Sequence, residues 1–234
     1  MLMQVANPGV AAGVAEHSDF RKRPLHRLVR TLELTLALTF GTREDAYAAA
    51  RQINAVHQGV RGAGYAATDQ RLLLWVHATL IDSALVTYGA FVGPISYVER
   101  ETYYHEAKLI GGLLRLPNSF YPPSFADFQA YVASMLTGDE LVVDARALEL
   151  AEAVLRPPLR RVPQLAYRPL EAVIAGLLPE RLRAAYGLRW GWPEQLTFTA
   201  ARRGLPRIIA LMPQRLRQMP PARRSPVTSS TLRA

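Results

Sequence analysis

The side chains of this sequence that are best suited to chemistry are its five histidines. They are His17, His26, His57, His77 and His105. Imidazole titrates near neutral pH and is a common ligand of iron, copper and zinc. The sequence has no cysteine, which excludes a disulfide framework, an iron–sulfur cluster and a thiolate nucleophile. A bound metal would therefore depend on histidine and on the remaining donors, chiefly oxygen atoms.

His57 lies in the last turns of a predicted helix that is stopped by a Gly-Ala-Gly segment. One interpretation is a partly exposed histidine favoured by the negative end of the helix dipole. The other is a ligand, because the small residues Ala50, Ala55 and Gly59 leave room beside it for a flat or bulky group. The pattern around His57 leaves both interpretations open.

His77 lies in the most hydrophobic predicted helix, within the segment Leu74–Leu80. One interpretation is a core histidine bonded to a backbone carbonyl or to a residue such as Asp82. Asp82 lies about 140° around that helix from His77, so such a pairing would need a neighbouring helix. The other interpretation is a residue of a functional site, and both stay open.

Arg27, Arg30 and Thr31 form an Arg-x-x-Arg-Thr pattern on another predicted helix. Such a pattern is usually a solvated basic face. Its functional interpretation is an anion clamp, because a guanidinium group binds a carboxylate through two parallel hydrogen bonds.

Other metal and catalytic motifs have no support. Glu101 and His105 have the wrong spacing for the Glu-x-x-His pair of a di-iron bundle, and no second copy occurs. The sequence also lacks a glycine-rich phosphate loop, a GxSxG nucleophile elbow and an HExxH zinc motif. Nucleotide-binding, serine-hydrolase and zinc-protease functions are therefore not indicated.

The net charge of +9 could attract nucleic acid or an anionic membrane surface. The charge is mostly arginine, and no helix-turn-helix, zinc-finger or RNA-binding motif accompanies it, so we predict no specific nucleic-acid partner. The apolar stretch Leu72–Val98 contains Asp82 and Pro94, which favours a buried helix over a transmembrane segment. Peripheral membrane contact stays open. The absence of a leader pattern predicts a cytoplasmic protein.

Periodicity and cap residues predict an all-α protein, because strand patterns are never longer than four residues. The predicted helices cover, to within a turn, Pro8–His17, Arg21–Phe40, Thr42–Arg61, Asp69–Phe91, Ser96–Leu114, Ser124–Leu136, Asp144–Leu155, Leu170–Leu177, Glu180–Tyr186 and Pro193–Leu211. Half of the residues are hydrophobic, which is enough for a sizeable core. We expect one multi-helix globular domain over residues 1–217 with a buried cofactor pocket, and a disordered basic tail rich in Pro, Ser and Thr over residues 218–234.

Several segments, taken in order, resemble a helical family. These segments are Pro8–Ser18, Arg30-Thr31 with Phe40-Gly41, His57–Gly62, Tyr65–Asp69, Leu74–Leu80, Tyr103–Glu106, Phe128–Tyr131 and Leu178–Arg183. The family includes the latex-clearing protein, which is a rubber oxygenase, and the endoplasmic-reticulum-bound oxygenase of the mycophenolic acid pathway. The His57 and His77 segments are the most specific part of the resemblance.

The resemblance implies an all-helical fold that holds haem b between helices, with a histidine as iron ligand. His57 is the first choice for that ligand, and His77 is a pocket residue or the alternative ligand. Arg27, Arg30 and Thr31 resemble a cluster that lines the family's haem pocket, and Arg61 is a further candidate partner of the haem propionates. The implied partners are O2 and an apolar small-molecule or polymer substrate. The oligomeric state stays open.

Two departures bear on activity. The family leads us to expect a histidine before Pro8, on the distal side of the haem, and this sequence has Asn7. Relatives usually carry an additional N-terminal segment. Two alternatives therefore stand beside the oxygenase hypothesis: a non-catalytic haem or apolar-ligand binding protein of the same fold, and a helical interaction module without cofactor.

Overall fold

The computed structural model describes residues 1–18, 24–157 and 162–213, and this part of the chain is all-α. Its helices are α1 (Leu2–Val5), α2 (Pro8–His17), α3 (Pro24–Phe40), α4 (Arg43–Gly59), α5 (Gln70–Phe91), α6 (Tyr97–Leu113), α7 (Phe125–Thr137), α8 (Ala145–Leu155), α9 (Arg168–Leu177), α10 (Glu180–Ala185) and α11 (Trp192–Leu211). Two short 3-10 turns, Asn118–Phe120 and Gln164–Tyr167, lie in connecting loops. The predicted all-α class is confirmed. The predicted start of α3 near Arg21 and the predicted disordered tail 218–234 lie outside the described residues.

Local capping explains why the helices begin where the sequence predicts. Thr42, Ser96 and Ser124 each accept a hydrogen bond from the backbone three residues on, and the acidic residue there bonds back to the cap. Asp69 and Asp144 cap α5 and α8 through their carboxylates. Each cap satisfies backbone N–H groups that the first helical turn leaves unpaired.

Several short elements were not predicted: α1, the two 3-10 turns and a two-stranded hairpin. The helix expected to reach Arg61 ends at Gly59, and β1 (Arg61–Gly62) pairs antiparallel with β2 (Tyr65–Ala66). Gly64, in the turn, has φ +80°, which glycine adopts without strain. Strands of two residues are too short to produce an alternating pattern, so periodicity could not reveal them.

Two apolar clusters form the core. The long-range core joins the N-terminus to late helices and contains Val5, Trp75, Leu150, Leu182 and Tyr186 among others. The local core comes from α5 to α7 and contains Leu74, Ile81, Tyr104, Tyr121, Phe125 and Phe128 among others. Because adjacent residues of α5 enter different clusters, this helix forms the boundary that both share.

The long-range core brings distant parts of the chain together. The Tyr186 hydroxyl donates to the Leu2 carbonyl at 2.7 Å, and the Trp75 indole N–H donates to the Gln4 carbonyl at 3.3 Å. α1 is thus held at Leu2 by the residue that follows α10 and at Gln4 by a residue of α5. In contrast, α5 is buried mainly in its first half, and Tyr88 near its end is exposed.

α5 is the only described helix long and apolar enough, by length and composition, to cross a membrane, and core helices pass the same test. Its first half carries the buried residues Leu74, Trp75 and Ile81. That half therefore agrees with the predicted buried helix.

α3 and α4 form a helical hairpin that packs mainly on itself. Large apolar side chains on both helices are exposed. They are Val29, Leu32, Phe40, Tyr47 and Val56. His57 therefore belongs to a more open region than His77.

Candidate functional site

His77 is a buried histidine of α5 whose imidazole has a partner. Only 7% of it is exposed, and its Nδ1 lies 2.5 Å from the hydroxyl oxygen of Tyr121. The two rings meet edge to face, with centroids 5.7 Å apart. The structure shows a hydrogen-bonded core histidine, one of the two interpretations of the sequence, but its partner is neither a backbone carbonyl nor Asp82. The partner comes instead from the loop before α7.

Gly111 of α6 makes room for the Tyr121 hydroxyl. A Cβ built on Gly111 would lie well inside van der Waals contact with the Tyr121 hydroxyl oxygen. The Leu116 N–H donates to the Gly111 carbonyl at 3.0 Å, which turns the chain just after α6. Any residue larger than glycine at this position would displace the tyrosine that holds His77.

Burial keeps both members of this pair neutral. It lowers the pKa of His77 to about 4 and raises the pKa of Tyr121 above its ordinary value. A neutral imidazole has one donor nitrogen and one acceptor nitrogen. The hydroxyl bond at Nδ1 therefore fixes the orientation of the ring and sets which role Nε2 takes.

His57 lies half-buried in the last turn of α4. Burial lowers its pKa below the ordinary value, so the imidazole is mostly neutral at pH 7. Within the described part of the chain, its ring nitrogens make no hydrogen bond. A neutral imidazole without a protein partner has a lone pair available for a ligand.

The surroundings of His57 agree in part with the predicted space. A Cβ on Gly59 would meet nothing within 4 Å, and Ala55 is exposed. Ala50, by contrast, is buried, with only 3% of its surface exposed. The open space therefore lies beside the last turn of α4 and not along the whole helix.

The end of α6 connects the regions of the two histidines. One turn before His57, the Asn54 side-chain amide donates to the Leu113 carbonyl at 2.9 Å. The same end of α6 carries Gly111, against which Tyr121 packs. α4 and α5 are thus both fixed to the C-terminus of α6, one through Asn54 and the other through Tyr121.

The predicted cationic residues lie on exposed surfaces. Arg30 and Thr31 are exposed on α3, which packs against α4, and Arg61 is exposed in β1. The backbone of Arg27 belongs to α3, and its side chain lies outside the described part of the structure. No carboxylate among the described residues pairs with Arg30 or Arg61, so both guanidinium groups are available to an anion.

Sequence reasoning missed Tyr121 and Asn54. Tyr121 lies in a proline-bounded loop, where no periodicity indicates which way a side chain points. The paired glycines Gly111 and Gly112 near the end of a helix were the one available signal of a close approach. Asn54 carried no signal, because a surface asparagine of a helix is common.

The Glu101 and His105 pair has a structural role. His105 Nε2 lies 2.9 Å from Glu101 Oε1, and the same carboxylate accepts the Phe125 backbone N–H at 3.1 Å. No group of three or more His, Asp or Glu side chains suited to a metal occurs among the described residues.

Two open clefts lie at the surface. One, of about 810 Å³, lies between α6 and the following loop, is lined by His105, Lys108 and Gly112 among others, and has Tyr121 in its wall. The other, of about 650 Å³, is lined by charged residues of α8, α9 and α11, including Arg156 and Glu171. The first cleft is linked to His77 through Tyr121, which bonds to that histidine. A buried cofactor pocket stays a prediction.

Comparison with known proteins gives one family match. The family described as "ER-bound oxygenase mpaB/B'/Rubber oxygenase, catalytic domain" matches residues 1–207. The match spans both histidine segments and most of α11.

Two curated relatives are similar over most of their length. They are the uncharacterized proteins Mb2261 of Mycobacterium bovis and Rv2237 of Mycobacterium tuberculosis, each 28% identical over 217 residues. Each alignment covers 85% of this chain and 81% of the relative. No solved structure gives a significant match.

Proposed function

The chain belongs to the family of the ER-bound oxygenase mpaB/B' and rubber oxygenase catalytic domain, and from this membership we propose a haem-b-dependent oxygenase that acts on an apolar organic substrate. O2 is the co-substrate, and the cytoplasm is the proposed compartment. Haem b, when bound, supplies an iron that binds and activates O2. The observation that carries the choice of ligand is the neutral imidazole of His57, which has no hydrogen-bond partner among the described residues.

The donor set fits a histidine-ligated haem. Iron binding needs a deprotonated imidazole nitrogen, and burial already lowers the pKa of His57. The open space beside Gly59 and Ala55 offers room next to the ligand. The exposed apolar side chains of α3 and α4, such as Val56, would be covered by a flat apolar group.

The cations of the site suit the two propionates of haem b. Arg30 and Arg61 are exposed and have no carboxylate partner among the described residues, so binding a propionate would break no existing ion pair. We assign Arg27 to the same role or to the O2 side of the pocket. Thr31, one residue after Arg30, would donate a hydroxyl hydrogen bond there.

His77 acts in this proposal as a fixed wall of the pocket, and it is the alternative ligand. The Tyr121 hydroxyl holds its Nδ1, so the ring cannot rotate without breaking a buried hydrogen bond. As a pocket residue, His77 is neutral, and its hydrogen bond with Tyr121 decides which ring nitrogen carries the proton. As a ligand, it would bind through Nε2 while Nδ1–H donates to Tyr121.

Absorption spectra of purified full-length protein, expressed with a haem precursor, test the cofactor and the ligand together. We expect a stoichiometric Soret band that shifts on reduction and with carbon monoxide. His57→Ala should lose most of this band, and imidazole added to His57→Gly should restore it. His105→Ala, at an exposed histidine, serves as the matched control and should keep the band.

Other spectral outcomes would change the proposal. If His57→Ala keeps the full band while His77→Ala loses it, His77 is the ligand. A featureless spectrum with no uptake of added haemin would overturn the haem proposal and favour the helical interaction module without cofactor.

Asn7 favours one second candidate, a haem or apolar-ligand binding protein without catalytic activity. Its side-chain oxygen accepts from the backbone of Gly9 at 3.0 Å and of Val10 at 3.3 Å, so it caps α2. An amide used in this way cannot transfer a proton as the expected histidine would. Oxygen uptake with an apolar alkene distinguishes the two: turnover supports the oxygenase, and a haem spectrum without uptake supports the binding protein.

A further inference from the structure

The positive charge of this chain is concentrated at its C-terminal end. After Glu194 the sequence has eight arginines, no lysine and no acidic residue. This segment therefore accounts for nearly all of the net charge of +9. Three of these arginines, Arg202, Arg203 and Arg207, lie on α11 and are exposed.

The end of α11 combines this charge with exposed apolar side chains. The exposed fractions are 40% for Leu205, 58% for Ile208, 47% for Ile209 and 86% for Leu211. α11 packs on α9 and α5 through earlier residues, including Phe198, whose ring meets Phe91 edge to face. From Arg207 to Leu211 every residue is exposed, so the last turn is not covered by the described part of the domain.

The apolar and basic residues occupy different sides of this helix end. At about 100° per residue, Leu205, Ile208, Ile209 and Leu211 fall within an arc of about 160°. Arg203 and Arg207 fall outside that arc, on the other side of the helix, whereas Arg202 lies at the edge of the arc beside Ile209. An apolar face with arginines opposite it is the pattern of a helix that lies in a membrane interface.

We propose that the end of α11 docks on the surface of an anionic lipid bilayer. The isoleucines and leucines would enter the boundary between headgroups and acyl chains, and the arginines would pair with anionic headgroups. A nucleic-acid partner would bind the arginines but would leave the apolar side chains exposed to water. A second copy of the chain would bring two strongly basic segments together, and the residues after α11 carry the same charge sign.

Co-sedimentation of the full chain with vesicles tests this proposal. We expect binding to vesicles of phosphatidylcholine mixed with phosphatidylglycerol, and little binding to phosphatidylcholine alone. Removing both charges in Arg203→Gln/Arg207→Gln should weaken binding by about 25-fold, or about fivefold per arginine. Ile208→Ser/Ile209→Ser should weaken binding by about tenfold while the charge is unchanged.

Matched variants elsewhere serve as controls. Leu148→Ser changes a residue of α8 with similar exposure to Ile209, and Arg51→Gln removes an exposed charge of α4. Both should bind as the unmodified chain does.

Three results would overturn the proposal. The first is vesicle binding that neither double variant changes. The second is binding to duplex DNA, without vesicle binding, that the arginine variant abolishes and the isoleucine variant keeps. The third is self-association without vesicle binding that Ile208→Ser/Ile209→Ser abolishes.

Discussion

The regions of His57 and His77 differ in how completely the surrounding protein buries the imidazole and occupies its hydrogen-bonding nitrogens. His77 is enclosed by α5, α6 and the loop before α7, and its Nδ1 bonds to Tyr121. His57 lies on a hairpin of two helices with exposed apolar faces and has no partner among the described residues. A histidine with a completed environment supports the fold, whereas one with an open coordination position is available to a ligand. The comparison supports the proposal that His57, and not the more deeply buried His77, is the iron ligand.

The largest expected effect lies in the His77 region, at the contact between Gly111 and Tyr121. Gly111→Ala should lower the free energy of unfolding by about 3 kcal/mol, because its methyl group would displace the Tyr121 hydroxyl and break the bond to His77. The neighbouring Gly112→Ala is the matched control. Nothing lies within 4 Å of its Cβ, so helix propensity should stabilise that variant by about 1 kcal/mol or less.

Chemical denaturation of both variants measures this difference. Equal losses at Gly111 and Gly112 would show that the close approach to Tyr121 does not limit stability.

An effect of similar size is the pH dependence that His77 gives to folding. Its folded pKa is about 4, below the ordinary value of 6.5, so the unfolded chain binds the extra proton first. The stability contributed by neutral His77 is complete above about pH 6.5 and falls as pH falls toward about 4. Full loss would amount to about 3 kcal/mol.

Unfolding curves between those pH values check this prediction. His77→Gln should remove most of the slope, whereas His105→Gln, at an exposed histidine, should keep it. A slope that His77→Gln leaves unchanged would assign the pH dependence to other groups.

The smallest expected effect lies in the His57 region, at the anchor between α4 and α6. Asn54→Ala removes one hydrogen bond to the Leu113 carbonyl and should cost about 1 kcal/mol. Amide hydrogen exchange should accelerate in α4 and stay unchanged in the first half of α5. Uniform acceleration in both helices would mean that the hairpin and the core open as one unit, and the contrast between the two regions would be lost.

Local chemistry explains which parts of the fold could be predicted from the sequence. The starts of the helices capped by Thr42, Ser96 and Ser124 depend on residues three positions apart, so sequence patterns contain them. The predicted helix ends were within a few residues of the observed ones. The hairpin of β1 and β2 was missed, because two residues per strand are too few for a pattern.

The candidate site could be predicted only in part. The residue types and the histidine segments could be identified, but their partners depend on long-range packing. His77 and Tyr121 are 44 residues apart, and Asn54 and Leu113 are 59 apart. Loop direction and helix packing decide such contacts, and neither leaves a periodic signal.

The bond between Tyr186 and Leu2 has a consequence for synthesis on the ribosome. All buried residues of the local core lie between Leu74 and Val132, so this core can assemble while the chain is still being translated. The long-range core needs Tyr186, 184 residues after Leu2, so the N-terminus must wait for most of the protein to be made. Until then the apolar side chains of Leu2, Met3 and Val5 cannot complete their packing in the long-range core. A nascent chain stalled before residue 186 should therefore be the form that chaperones bind.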